Sequence, residues 1–229
     1  MKKSPISRPQ SLAATVADRI KAAILARELA LGEALSEDKI ATAMDVSRTP
    51  VREALAILQL QGLIVILPRR GSFVFQPSRE DIRLLVEYRM NIELRAARLA
   101  VKHAPGGLHD AMVKALEDMV RAREADDALL YARADGDFHN AFFEHSHNYL
   151  FAEAYDIAAG RIAALRAHLS DELKLHRRMT YEEHQQMAEA VKARDPSKLC
   201  SILRAHISAM GPNYIHALEA LRRGKPRLA

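Results

Sequence analysis

Residues 35–74 read LSEDKIATAMDVSRTPVREALAILQLQGLIVILPRRGSFV, and the fold turns on them. Ser36 stands where a helix N-cap is expected, with Lys39 three positions on, so half of a capping box is missing. The short helix it opens runs to about Met44, and Asp45-Val46 makes a tight connection. A glycine is usual at such a turn, but Asp45 tolerates left-handed backbone better than most residues. Ser47 then caps a second helix that takes Pro50 inside its first turn, where a missing N–H costs little. Val51, Leu55 and Leu58 form the apolar stripe of that helix, and Gly62 ends it. Beyond it, Ile64–Leu67 and Phe73–Phe75 are β-rich runs joined by Pro68-Arg69-Arg70-Gly71-Ser72, which predicts a hairpin.

Upstream, Leu12, Val16, Ile20, Ala23 and Ile24 recur at helical spacing, and Leu29–Leu35 reads as a turn centred on Gly32. A short helix, a tight turn, a second capped helix and a two-stranded hairpin is the layout of a winged helix-turn-helix. Ala41 and Val51 are small and apolar where the two helices must cross closely. In that layout the second helix enters the DNA major groove and offers its first residues to base edges. Those residues are Ser47, Arg48, Thr49 and Arg52. Arginine grips guanine O6 and N7 with two donors, while hydroxyls and a helix N-terminus suit phosphate. Arg69 and Arg70 at the hairpin tip reach backbone or minor groove, with Gly71 permitting close approach. Taken singly, each of these arginines reads equally well as a solvated surface charge.

As a motif the stretch says more. Without a gap over residues 35–74 it resembles the N-terminal signature of the GntR family of bacterial transcription regulators, through SRTPVREAL, GLI and RGSFV. The resemblance implies a DNA-binding domain. Many relatives carry an operator-contacting arginine in the first turn of the short helix; this chain has Asp38 there, so either Lys39 beside it substitutes or that contact is absent.

The chain has 229 residues, 49% apolar and 28% charged, enough for a buried core in one large domain or two modest ones. A net charge of +5 excludes a histone-like protein but allows a local basic patch. Residues 1–78 hold 11 Lys/Arg against 7 Asp/Glu, so +4 of the surplus lies there. A single cysteine, Cys200, excludes an internal disulfide framework and any four-cysteine zinc site. Met1–Ser7 is basic without an apolar run behind it, and the longest apolar run, Leu63–Leu67, is too short for a bilayer. A cytoplasmic protein with no membrane partner is therefore expected.

Pro77 breaks the chain and Ser78, followed by Asp81, reads as an N-cap, which sets the expected domains at 1–77 and 78–229. The second is entirely helical in pattern, with helices predicted at 79–103, 108–125, 128–146, 149–172, 180–194 and 196–222. Pro105-Gly106-Gly107, Asp126-Asp127, Asn148, Arg177-Arg178 and Asp195-Pro196 mark the breaks, and Gly211-Pro212 is expected to kink the last helix. The expected fold class is mainly α: a winged helix-turn-helix followed by a bundle of about six helices.

All ten histidines fall in the bundle half. Asp135 and His139 are four apart, so a helix stacks them on one face. His184 and His206 sit within two further predicted helices, and three imidazoles with one carboxylate can close around a divalent ion in a bundle core. Spacing alone leaves hydrogen-bonded core histidines as an equal alternative. The other seven read as surface or interfacial residues.

Residues 80–222 resemble the FCD domain of the FadR-like branch of the GntR family, through YRMNIELRAARLAV (88–101), DGDFHNAFFEHSHN (135–148) and EHQQMAEAVKARDPSKLCSILRAH (183–206). In metal-binding members an Asp four residues before a His, plus two later histidines, hold a divalent ion; the resemblance places them at Asp135, His139, His184 and His206, with zinc or nickel expected. It also suggests Arg89 as the clamp for an acidic effector, although a salt bridge to Glu93 is an equal reading. Arg161 and Arg166 are further candidates for the cavity wall. The implied protein is a homodimeric regulator that reads a near-palindromic duplex operator and responds to a small carboxylate. A regulator that senses the metal itself, or a metal-dependent enzyme, are the rival classes. The enzyme lacks support, since there is no HExxH motif.

Overall fold

A computed structural model describes residues 11–224. They divide into two compact units with the boundary between Gln76 and Pro77, one residue before the expected position.

The first unit runs α1 (Leu12–Leu25), β1 (Ala34–Leu35), α2 (Glu37–Met44), α3 (Arg48–Leu60), β2 (Ile64–Leu67) and β3 (Gly71–Val74). Helix α1 packs on α3, burying Val16, Ile20 and Ile24 from one and Val51, Leu55 and Leu58 from the other. Side chains of this size each contribute about 1.5–3 kcal/mol when fully buried. Ser36 accepts from the Lys39 N–H at 3.3 Å and caps α2. Asp45 closes that helix in the left-handed region (φ 52°), returning its N–H to Ala41. The strands form an antiparallel sheet in the order β1-β3-β2, with Ile64 opposite Val74 and Leu67 opposite Gly71.

Two local expectations are corrected here. The segment read as a turn over Leu29–Leu35 ends in strand β1, paired through Ala34 with Phe73 and Leu35 with Ser72. Two residues are too few to show alternation, and their partner lies beyond two helices. Ser47 occupies the N-cap position of α3 but makes no capping hydrogen bond. The reason lies in the sequence: Pro50 is the third helical residue and has no N–H to donate. In the β2–β3 turn, Gly71 adopts φ 102° and a side chain there would meet nothing within 4 Å. Backbone conformation, not space, selects glycine.

The second unit comprises α4 (Arg79–His103), α5 (Pro105–Glu124), α6 (Ala128–Glu144), α7 (Tyr149–His168), a 3-10 turn (Lys174–His176), α8 (Arg177–Lys192) and α9 (Pro196–Gly224). Polar caps start the helices where the sequence marks them. Ser78 and Asp81 form a complete capping box, Asp127 accepts from Leu129 and Leu130, and Asn148 accepts from Leu150. Helix α9 runs from Pro196 to Gly224 with Pro212 inside it. Helix α4 packs on α9, α5 on α6 and α8 on α9, around a core that includes Phe138, Phe142, Met112, Leu203 and Ile207.

Helix α5 starts at Pro105, not 108, because proline suits a first helical position. A side chain at Gly107 would come within 2.9 Å of the His145 ring, so glycine there serves packing. Helix α7 stops at His168 and α8 begins at Arg177, whereas the sequence reading runs the first to 172 and starts the second at 180. No Gly or Pro punctuates Leu169–Thr180. Two bonds shape this stretch: the buried Arg177 guanidinium folds back to donate to the Ser170 carbonyl at 2.8 Å, and Tyr131 Oη on α6 donates to the Arg177 carbonyl at 3.1 Å. Among the described residues, no helix is long and apolar enough to cross a membrane.

Candidate metal centre and nucleic-acid face

Helix α6 sets Asp135 and His139 one turn apart on its inner face; α8 brings His184 and α9 brings His206 to the same point. Each offers one ligand atom within 4.8 Å of all the others, and all four residues are buried. Four donors gathered this closely would suit a divalent ion, which Asp135, His139, His184 and His206 would hold. The three imidazole rings crowd together, with His184 and His206 centroids 4.7 Å apart.

The ring nitrogens explain why these are not ordinary core histidines. His139 Nε2 and both ring nitrogens of His184 are buried without a hydrogen-bond partner. Such groups are normally satisfied, and an unsatisfied cluster of lone pairs suits a cation. Carboxylates behind the rings aim them: Glu93 lies 2.8 Å from His139 Nδ1, and Glu183 lies 2.7 Å from His206 Nδ1. A proton held between Nδ1 and carboxylate leaves Nε2 with its lone pair toward the centre.

Burial and neighbouring charges favour the neutral form of His139 and His184 and the ionised form of Asp135. Burial pushes His139 down to about 4, against the pull of Glu93. Burial and the neighbouring His206 push His184 well below its ordinary value. For Asp135, burial acts upward, but Arg166 and the histidines outweigh it and hold the carboxyl well below the usual range. With His139 and His184 neutral and Asp135 ionised, these three donors need no proton release to take a metal.

Arg89, expected at the effector, is 2% exposed and bound to Glu93, with Nε to Oε1 at 2.5 Å. It therefore sits behind His139 and does not line the adjoining cavity. That cavity has a volume of about 50 Å³, room for a few water-sized groups, with Asp135 and Arg166 on its wall. Arg166 pairs with Asp135 through Nε at 2.5 Å, and its Nη2 has no hydrogen-bond partner. Tyr214 Oη and His176 Nδ1, also on the cavity wall, are likewise buried and unpartnered. Of these wall residues, Asp135 and Arg166 were sequence candidates, whereas Tyr214 and His176 were not. The contacts of Glu93 with His139 and of Glu183 with His206 run between helices, so spacing flags only the Glu93–Arg89 pair and the adjacency of Glu183 to His184, and it gives no signal for Tyr214 or His176.

On the winged unit, Lys39, Ser47, Arg48, Thr49 and Arg52 are exposed on α2 and α3, and Arg69, Arg70 and Gly71 are exposed on the β2–β3 turn. Two of the arginines are engaged. Arg48 Nε contacts the Asp38 carboxylate, and Arg52 Nε contacts Glu37 Oε2 at 2.6 Å.

Residues 12–74 match the family described as bacterial regulatory proteins, gntR family, and residues 84–209 match the FCD domain. The HTH-type transcriptional repressor NanR of Salmonella schwarzengrund is 27% identical over 238 residues, covering 95% of this chain and 89% of that protein. NanR of Salmonella newport is 27% identical, with 95% and 90% covered. Among solved structures, a GntR transcriptional regulator from Rhodococcus sp. RHA1 superposes with a TM-score of 0.80 at 24% identity, covering 90% of this chain and 98% of that one. E. coli McbR/YncC gives a TM-score of 0.75 at 21% identity, covering 93% and 99%.

Proposed function

The chain belongs to the GntR family of bacterial transcription regulators, in the branch that carries an FCD domain, and on that premise we propose a repressor whose operator affinity is set by a small organic acid at a divalent-metal site. It is a DNA-binding regulator and not an enzyme. The observation that carries the finer reading is the buried set Asp135, His139, His184 and His206, with orphaned ring nitrogens, beside a cavity that holds an under-used arginine. The donor set of three imidazoles and one carboxylate suits zinc or nickel. When bound, the metal supplies a Lewis-acid contact for the acid's carboxylate.

Arg166 is the better candidate for the second hold on the acid, with Tyr214 as a hydroxyl partner; Arg89 serves as counter-ion to Glu93. Glu93 and Glu183 fix the rings of His139 and His206. The acid shifts DNA binding only insofar as it prefers one arrangement of the bundle. Helix α4, which brings Glu93 against His139, directly follows the winged unit in the chain and is the natural lever. A homodimer in the cytoplasm presents two α3 helices to a near-palindromic operator, with Ser47, Arg48, Thr49 and Arg52 on base edges and adjacent phosphates. Lys39, Arg69, Arg70 and Gly71 lie against the backbone.

The test joins metal content to DNA binding. Metal analysis of the purified full chain should return about one zinc or nickel per chain, and His184→Ala should lose it. Fluorescence anisotropy on a duplex selected from a random pool should then show small acids releasing DNA from the wild type and not from His184→Ala. Equal metal content in both proteins sinks the site.

A second reading rests on the same burial. Four protein donors complete a tetrahedral shell, as in closed sites, and then the ion itself is the signal. In that case chelation alone changes DNA affinity. In the acid-responsive reading, chelation abolishes the response to acid and leaves basal affinity.

A further inference from the structure

The two acids of the first turn of α2 each face one arginine of α3: Asp38 meets Arg48, and Glu37 meets Arg52. Both contacts enter at Nε. A guanidinium has five N–H donors in a rigid fork, so a carboxylate at Nε fixes the plane of the group and leaves Nη donors on its far edge free. That far edge is the one that can bond guanine O6 and N7 together.

The pairs have little structural purpose. Arg48 and Asp38 are 59% and 61% exposed, and Arg52 is 63% exposed against 33% for Glu37. Exposed pairs of this kind add little to stability. A helix N-terminus favours acids for its dipole, but that preference does not require each acid to meet an arginine of another helix. On a face that meets phosphates, two carboxylates are a cost in affinity.

Resting on the reading of α3 as the base-reading helix, we infer that Asp38 and Glu37 are positioning residues for operator specificity. They hold Arg48 and Arg52 with their Nη edges presented, and their charges weaken the sequence-independent attraction to phosphate. The pairs raise the ratio of specific to non-specific binding at the expense of total affinity.

The test uses the full chain and a duplex recovered from a random-sequence pool, with every single-pair variant and a shuffled duplex, measured by fluorescence anisotropy across salt. Asp38→Asn and Glu37→Gln should each bind the shuffled duplex about three- to tenfold more tightly, with a salt slope steeper by up to about one. The ratio of preferred to shuffled affinity should fall by about tenfold, and Asp38→Glu should recover most of it. Arg48→Ala should erase preference at one base pair, and Asp38→Asn added to it should change nothing further at that pair.

If Arg48→Ala erases preference but the two acid variants keep the full ratio, the inference fails and the reading of α3 stands. If Arg48→Ala leaves every preference intact, the reading of α3 fails, and the inference with it. If Asp38→Asn still alters one base preference in the Arg48→Ala background, Asp38 itself touches a base and the positioning role is overturned. A purely helix-stabilising acid would move the unfolding midpoint and leave the ratio alone, which also overturns it.

Discussion

The helical unit and the winged unit both set carboxylates against nitrogen donors, at opposite ends of the dielectric range. Around the metal centre, Glu93, Arg89 and His139 are at most 2% exposed. On the winged unit, Asp38 and Arg48 are each about 60% exposed. Burial makes the first set rigid and intolerant of loss, because a stranded charge there cannot turn to water. Exposure makes the second set inexpensive and adjustable: either partner finds solvent when the other is gone. The buried cluster is suited to a fixed geometry, and the exposed pairs of the winged unit are suited to exchanging partners.

Substitutions can break that comparison. The largest effect is expected from His184→Ala, which removes one donor of four; metal affinity should fall by roughly a thousandfold or more, about 4 kcal/mol, read by competition with a chromogenic chelator. Next comes Glu93→Gln, which leaves Arg89 buried beside an amide; urea unfolding should register a loss of about 3 kcal/mol. Retention of wild-type stability there would show that the buried pair is not the anchor described. Glu183→Ala keeps all four donors and frees only the ring of His206, so metal affinity should drop about 10- to 100-fold without loss of the fold. Gly71→Ala forces a side chain into positive φ on the exposed turn, and should cost about 1 kcal/mol in thermal unfolding. Smallest is the stability effect of Asp38→Asn, expected within about 0.5 kcal/mol by the same melting experiment. A loss as large as that of Glu93→Gln would erase the contrast between the units.

The same contrast explains what could be read from sequence. Helix starts are written locally, in Ser36, Ser78, Asp127 and Asn148, because a cap acts over three residues. The ligand pair Asp135 and His139 is legible because helical spacing itself places both on one face. Bringing His184 and His206 to the same point required the family resemblance, since no local rule fixes how α8 and α9 dock. Glu93 and Arg166 were harder still: the partners they meet lie on α6, and charge alone does not distinguish them from surface residues. Strand β1 and the stretch after His168 were missed because both depend on distant partners: β1 pairs with β3, and the Arg177 carbonyl accepts from Tyr131 Oη on α6. The role expected for Arg89 illustrates the limit, because a salt bridge and a ligand clamp share one sequence signature.

Helix α3 has an unfinished end. With Pro50 unable to donate and Ser47 making no capping hydrogen bond, the first amides of α3 receive no side-chain acceptor from their own N-cap. An approaching phosphate oxygen supplies the acceptor that the chain omitted. On the proposed reading of α3, its first turn should be firmer against a nucleic-acid backbone than in the free protein, and amide exchange at Arg48 and Thr49 should slow on DNA binding.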